Sequence, residues 1–233
     1  MKYAVLMILL AQPLAAQTFN VIHEKRLWRD GGGTVQVNEE GIVYKAKKES
    51  ESREWKYEDI QYFDRINTRE FTILSYEDDR RLLGRDKQYH FLITKGELTD
   101  EVFNQIAGRL NKPVTNRQIP ESVKGQYQIP VKHLHTLGGC EGSLIFTDDA
   151  IFYASDHKED AREWLLSRDV QSVWSSDRYQ LEIYAYDNNR REFSRSRVYK
   201  FDLKIPLDPE FYRSLKLKLF DLEKAHRPLP SHR

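Results

Sequence analysis

Glu54-Trp55-Lys56-Tyr57-Glu58-Asp59-Ile60-Gln61 is answered about 110 residues later by Glu163-Trp164-Leu165-Leu166-Ser167-Arg168-Asp169-Val170-Gln171. A second pair repeats the interval: Ile73-Leu74-Ser75-Tyr76-Glu77-Asp78-Asp79-Arg80-Arg81 and Ile183-Tyr184-Ala185-Tyr186-Asp187-Asn188-Asn189-Arg190-Arg191. Duplication of a whole domain accounts for both matches. Residues that recur in the two copies are then explained first by folding, and those that differ become the candidates for function.

Working outward, each copy reads as the same series of elements. An extended segment at 21–28 corresponds to one at 131–137. A glycine-bearing turn follows, then a hairpin: residues 34–38 and 42–45 in the first copy, 143–147 and 151–153 in the second. Val35 and Val37 alternate with Thr34 and Gln36, the period of a strand with one wet face. Glu39-Glu40-Gly41 and Asp148-Asp149-Ala150 supply the reversals. Charged runs at 47–53 and 156–162 read as solvated loops before the Trp-bearing strands. Strands at 71–76 and 181–186, then 89–93 and 199–203, lead to one helix in each copy. Thr99 and Asp208 are suited to cap those helices, and Pro209 to the first helical position. Val102, Ile106 and Leu110 share one helix face, as do Phe211, Leu215 and Leu219. The intervening segment holds Pro113, Pro120 and Pro130 among polar residues and reads as a linker.

This order of elements resembles a pleckstrin-homology-like domain, close to the bacterial and GRAM-type members, used twice. The residues carrying the likeness are Phe146-Thr147-Asp148-Asp149-Ala150-Ile151-Phe152-Tyr153, then 164–173, then Tyr199-Lys200-Phe201 ahead of the helix. The resemblance covers residues 20–111 and 129–222. It implies a mainly β fold with α: a β-barrel or roll of about seven antiparallel strands capped by one C-terminal helix, duplicated. The expected organisation is a signal peptide at 1–16, a first domain at 17–112, a linker at 113–128, a second domain at 129–224 and a loose tail at 225–233. Many intracellular members of the family bind anionic headgroups through basic residues on the first hairpin. Lys25, Arg26 and Arg29 stand near that place in the first copy, but the second carries His133-Leu134-His135-Thr136 there, and Thr34-Val35-Gln36 lacks a matching basic pair.

Lys2, a short apolar run at 3–10 and Pro13-Leu14-Ala15-Ala16 follow the grammar of a cleaved export signal, with processing near Ala16/Gln17. The apolar run is much shorter than the ~20 residues that span a bilayer. The chain carries 37 Lys and Arg against 36 Asp and Glu, so it lacks the basic excess that nucleic acid demands. One cysteine, Cys140, allows no intramolecular disulfide; packing must hold the fold. Cys140 sits among glycines and reads as a small residue in a turn.

Chemical motifs are few. Gly31-Gly32-Gly33 lacks the Lys-Ser/Thr of a phosphate loop. Asp78-Asp79 and Asp148-Asp149 fall in turns, with nothing setting them across a cleft. His133 and His135 share a strand face and, with Cys140 or Glu141, offer part of a metal site. Their spacing matches no closed zinc motif and only His133 has a counterpart, His23, so no metal, cofactor or catalytic residue is assigned. Trp55 and Trp164 read as core aromatics, whereas Trp28 and Trp174 are unmatched. The expectation is a non-enzymatic exported binding protein, periplasmic or extracellular, whose partner is a protein or peptide of the cell envelope. The alternative is weak electrostatic association with an anionic lipid or envelope surface. The candidate contact residues are Lys25, Arg26, Trp28, Arg29, His135 and Trp174, with Cys140 beside them.

Overall fold

Alternating apolar residues make most of this chain extended, and the computed structural model describes residues 16–25, 31–79, 85–110, 112, 114–120, 123–187 and 196–226. Almost all of the segment expected to be an export signal lies outside the described residues, as do Arg26, Trp28, Arg29 and the tail beyond residue 226. The fold is mainly β with two α-helices. The first seven strands are β1 (Gln17–Glu24), β2 (Gly31–Val37), β3 (Gly41–Ala46), β4 (Arg53–Lys56), β5 (Ile60–Asn67), β6 (Glu70–Asp78) and β7 (Asp86–Lys95). Helix α1 (Asp100–Leu110) follows, then the short β8 (Val114–Asn116). Next come β9 (Tyr127–Leu134), β10 (Gly139–Phe146), β11 (Ala150–Ser155), β12 (Arg162–Leu165), β13 (Val170–Trp174), β14 (Gln180–Tyr186), β15 (Ser196–Leu203) and α2 (Pro209–His226).

The strands join in one hydrogen-bonded order, β13-β14-β15-β9-β10-β11-β12-β8-β5-β6-β7-β1-β2-β3-β4. On either side of β8 the order is the same in kind: β5-β6-β7-β1-β2-β3-β4 on one side, β13-β14-β15-β9-β10-β11-β12 on the other. All ladders are antiparallel except β5 with β8. Two expected boundaries move. The first strand of each half begins about four residues earlier than read, because alternation already starts at Phe19 and at Ile129, both buried.

Among the described residues two large hydrophobic cores form, with a smaller cluster of Ile145, Ala150 and Phe152 beside them. One gathers Tyr44, Trp55, Phe63, Phe71 and Phe91 under Val102, Phe103, Ile106 and Leu110 of α1. The other gathers Tyr153, Trp164, Ile183, Tyr199 and Phe201 under Leu215 and Leu219 of α2. Trp55 and Trp164 are each almost wholly buried, so truncation of either to Ala would cost about 3–5 kcal/mol. Asp208 caps α2: its Oδ1 accepts hydrogen bonds from the Glu210 and Phe211 amides, both 2.8 Å. Among the described residues no helix is long and apolar enough to cross a membrane.

Within the 113–128 segment expected as a linker, Val114, Thr115 and Asn116 are buried and paired with β5 on one side and β12 on the other. One expectation gives way. Cys140 is not in the turn. It lies in β10 opposite His133, and the reversal is made by Gly138, whose φ of 87° suits glycine.

Candidate functional site

Strands β5 and β13 occupy matching places, and their partner ladders run in the same register. Ile60 faces Ser75 and Val170 faces Ala185; both strands then bulge before Tyr62–Leu74 and Ser172–Tyr184. Their outer edges differ. Along β5, Phe63, Asp64 and Arg65 pair in parallel with Val114, Thr115 and Asn116 of β8. Strand β13 ends the strand order and, among the described residues, pairs only with β14. Trp174, at the end of that edge, is 50 % exposed.

The seam between the halves is polar and buried. In the first half the Glu77 carboxylate accepts from Trp55 Nε1 (3.1 Å), Tyr89 Oη (2.8 Å) and Arg53 Nε (3.3 Å). Asp187, at the matching place in the second half, accepts from the Tyr199 hydroxyl and, at 2.6 Å, from the hydroxyl of Tyr62 on β5. Tyr62 also bonds Thr115. Burial, then the nearby Asp187 and Asp64 charges, push the Tyr62 phenol far above its ordinary value, so it stays a hydrogen-bond donor. Arg117 closes the seam on Asp64 at 2.6 and 3.1 Å, and Asn116 donates to Glu163 at 2.7 Å. Arg162 is buried nearby; desolvation opposes its charge, but Tyr199, Asp187 and Asp64 outweigh it and raise its pKa.

At the end of β9 a second constellation forms. His133 is buried in an aromatic cage, 5.5 Å from Tyr153, 5.5 Å from Tyr199 and 4.9 Å from Phe201, measured between ring centroids. His23 sits in the matching cage of Tyr44 (5.6 Å), Tyr89 (5.4 Å) and Phe91 (5.2 Å). What stands above the cage differs. Over His23, the Lys25 ammonium meets Glu51 Oε2 at 2.5 Å, and His23 Nδ1 is buried with no hydrogen-bond partner among the described residues. Burial, then the charges of Lys25 and Lys87, push the His23 imidazole down to about 4. Over His133, the Asp160 carboxylate takes 2.8 Å from His133 Nδ1 and 3.2 Å from His135 Nε2. Burial alone would raise the Asp160 carboxyl; the His133 hydrogen bond and the charges of His133, His135 and Arg162 hold it below the ordinary range. Burial first, then the charge of Asp160, push the Cys140 thiol up.

The sequence candidates therefore separate. Lys25 is tied to Glu51, while Arg26, Trp28 and Arg29 fall outside the described residues. His135 meets Asp160, Cys140 lies opposite His133 in the β9–β10 ladder, and Trp174 stands apart on the β13 edge. Glu141, weighed as a ligand beside the histidines, turns away to Lys204 at 2.7 Å. Sequence reasoning missed Asp160, Tyr62 and Asp187. Asp160 lies within the charged run 156–162 that reads as solvated. The available signal was the acid kept at the matching place, Glu51.

No known family and no curated protein matches the sequence. Among solved structures, the Spt16D Pob3N heterodimer is similar at 11 % identity over 74 % of this chain and 84 % of that one, with a TM-score of 0.28.

Proposed function

We propose that this chain is a non-enzymatic, exported binding protein built from two pleckstrin-homology-like halves that arose by duplication. The partner is a protein or peptide of the cell envelope, bound as an extended segment along β13. Support for the twofold build comes from the shared strand order on either side of β8 and from the twin histidine cages. The observation that carries the binding reading is the unequal fate of one edge. Strand β5 has its edge filled by the chain's own β8, whereas the matching edge of β13 pairs with no strand among the described residues. An open edge is a template for a further strand, whose main-chain hydrogen bonds supply affinity and whose alternate side chains supply specificity. By register with β5, the incoming strand would run beside Val173, Trp174 and Ser175, with the Trp174 ring as its apolar anchor.

The test is a peptide-display selection against the whole chain, followed by hydrogen exchange on β13. Selected peptides should protect the β13 amides and should bind at least about tenfold more weakly to Trp174→Ala, the ~1.4 kcal/mol expected for a modest anchor. Peptides that bind Trp174→Ala and wild type equally, or leave β13 exchange unchanged, would remove this edge as the site.

A further inference from the structure

We propose that His133, His135 and Asp160 bind a divalent transition metal of the zinc class, with Cys140 as the fourth ligand. The three residues offer two imidazole nitrogens and one carboxylate oxygen, all within 4.8 Å of one another. Zinc takes such donors at about 2.0–2.2 Å in a tetrahedron, which sets neighbouring ligand atoms about 3.3–3.5 Å apart. The His135 contact of 3.2 Å to Asp160 is close to that spacing, and the His133 contact of 2.8 Å is shorter than it by roughly half an ångström. The metal would replace the protons that the rings now share with the carboxylate.

The supporting frame is in place. His133 is held by its aromatic cage, and Asp160 closes a single 3-10 turn, Lys158–Asp160, just before β12. Cys140 faces His133 across the β9–β10 ladder, so both side chains stand on one side of the sheet. His135, about one-third exposed, leaves a way in from solvent. No zinc spacing is visible in the sequence because Asp160 is brought in by a later turn of the chain.

The first half shows which of these donors folding requires. At the matching places it has His23, Lys25, Gly31 and Glu51. There the Lys25–Glu51 ion pair covers the caged histidine, and a protonated ammonium cannot ligate a metal. Closing this end of the half therefore needs one histidine and one acid. In the second half His135 stands in place of the lysine and Cys140 in place of the glycine, which puts a second imidazole on Asp160 and a thiol opposite His133. An ion pair alone would be met by the lysine; the exchange of both residues for metal donors is what a metal site adds.

The experiment uses the whole chain after signal removal. Zinc affinity is read by competition with a chromogenic chelator, and cobalt(II) binding by visible and near-ultraviolet absorbance. The expected result is one ion per chain, tetrahedral cobalt bands and a sulfur-to-cobalt charge-transfer band that Cys140→Ser abolishes. His135→Lys rebuilds the first half's ion pair, so it should keep the fold by circular dichroism. It should weaken zinc binding by more than the 10–100-fold that loss of an outer-shell partner costs. Asp160→Asn should do the same. A wild-type chain that binds neither ion, or His135→Lys binding as tightly as wild type, would overturn the site. Cobalt bound without the charge-transfer band would strike Cys140 from the ligand set.

Discussion

Replacing Tyr62 by Phe removes one oxygen atom, and that atom bridges β5 to Asp187 across the seam. The Tyr62 hydroxyl donates to Asp187 at 2.6 Å and contacts Thr115, with all three residues buried. The bond to an ionised carboxylate carries about 1.5–3 kcal/mol and the hydroxyl pair about 0.5–1.5, so Tyr62→Phe should cost about 2–4 kcal/mol. Part of that loss is the desolvation left on Asp187, which would keep Tyr199 but lose its partner from the other half. Asp187→Asn removes the same charge and leaves Arg162 without one of the carboxylates that support it, so it should cost at least as much. The two changes act on one bond and must not add. Urea titrations followed by circular dichroism and tryptophan fluorescence would give both single variants and the double variant, and a coupling of about 1–2 kcal/mol is expected. A Tyr62→Phe loss below about 0.5 kcal/mol, or strict additivity with Asp187→Asn, would show that the bond contributes little to the seam.

Other consequences can be checked on the same chain. His23 is neutral in the native state with a pKa of about 4, against about 6.5 unfolded, so the unfolded chain binds more protons between those values. Stability should therefore fall as pH drops from about 6.5 to about 4, by roughly 2–3 kcal/mol, and His23→Phe should flatten that part of the profile; an unchanged slope would refute the assignment. Gly142 sits where an added Cβ would lie 2.2 Å from the Ala154 carbonyl oxygen, and Gly33 repeats this at 2.3 Å from that of Lys45. Alanine at either place should destabilise by about 1–3 kcal/mol through backbone displacement, read as a lowered melting temperature. An equal melting temperature would mean that β2–β3 or β10–β11 can spread at no cost.

Much of this was legible in the chain itself. Trp55 and Trp164, the hairpins around Gly41 and Ala150, and the capped helices at Thr99 and Asp208 carry periodic or local signals, and each lies where those signals put it. Strand ends were less legible, because alternation before Val21 and Val131 looks like the end of a connector. Pro113 and Pro120 drew the reading of 113–128 toward a tether. The three residues after Pro113 are nevertheless buried, since Phe63–Arg65 offers them a ladder that no local pattern announces. Cys140 looked like a turn residue because glycines surround it, although only Gly138 makes the turn. Asp160 and Asp187 were opaque for one reason: each acts on a residue brought near only by the fold, His133 in one case and Tyr62 in the other.

Matched positions differ at the caged histidine and at both edges beside β8: β5 and β12 carry it, whereas β13 and β4 end the strand order. In the first half Lys25 closes on Glu51, and Tyr62 on β5 reaches across to Asp187. In the second half His135 is turned to Asp160, Cys140 faces His133, and β13 lacks a second strand among the described residues. A partner strand at β13 would meet no resident strand to displace. The first half, pinned through Tyr62 and Arg117, would hold the rear of the same sheet still while it bound. The cost of ordering that frame is met on folding rather than on binding, which is the condition for an edge to bind an extended segment without first rearranging.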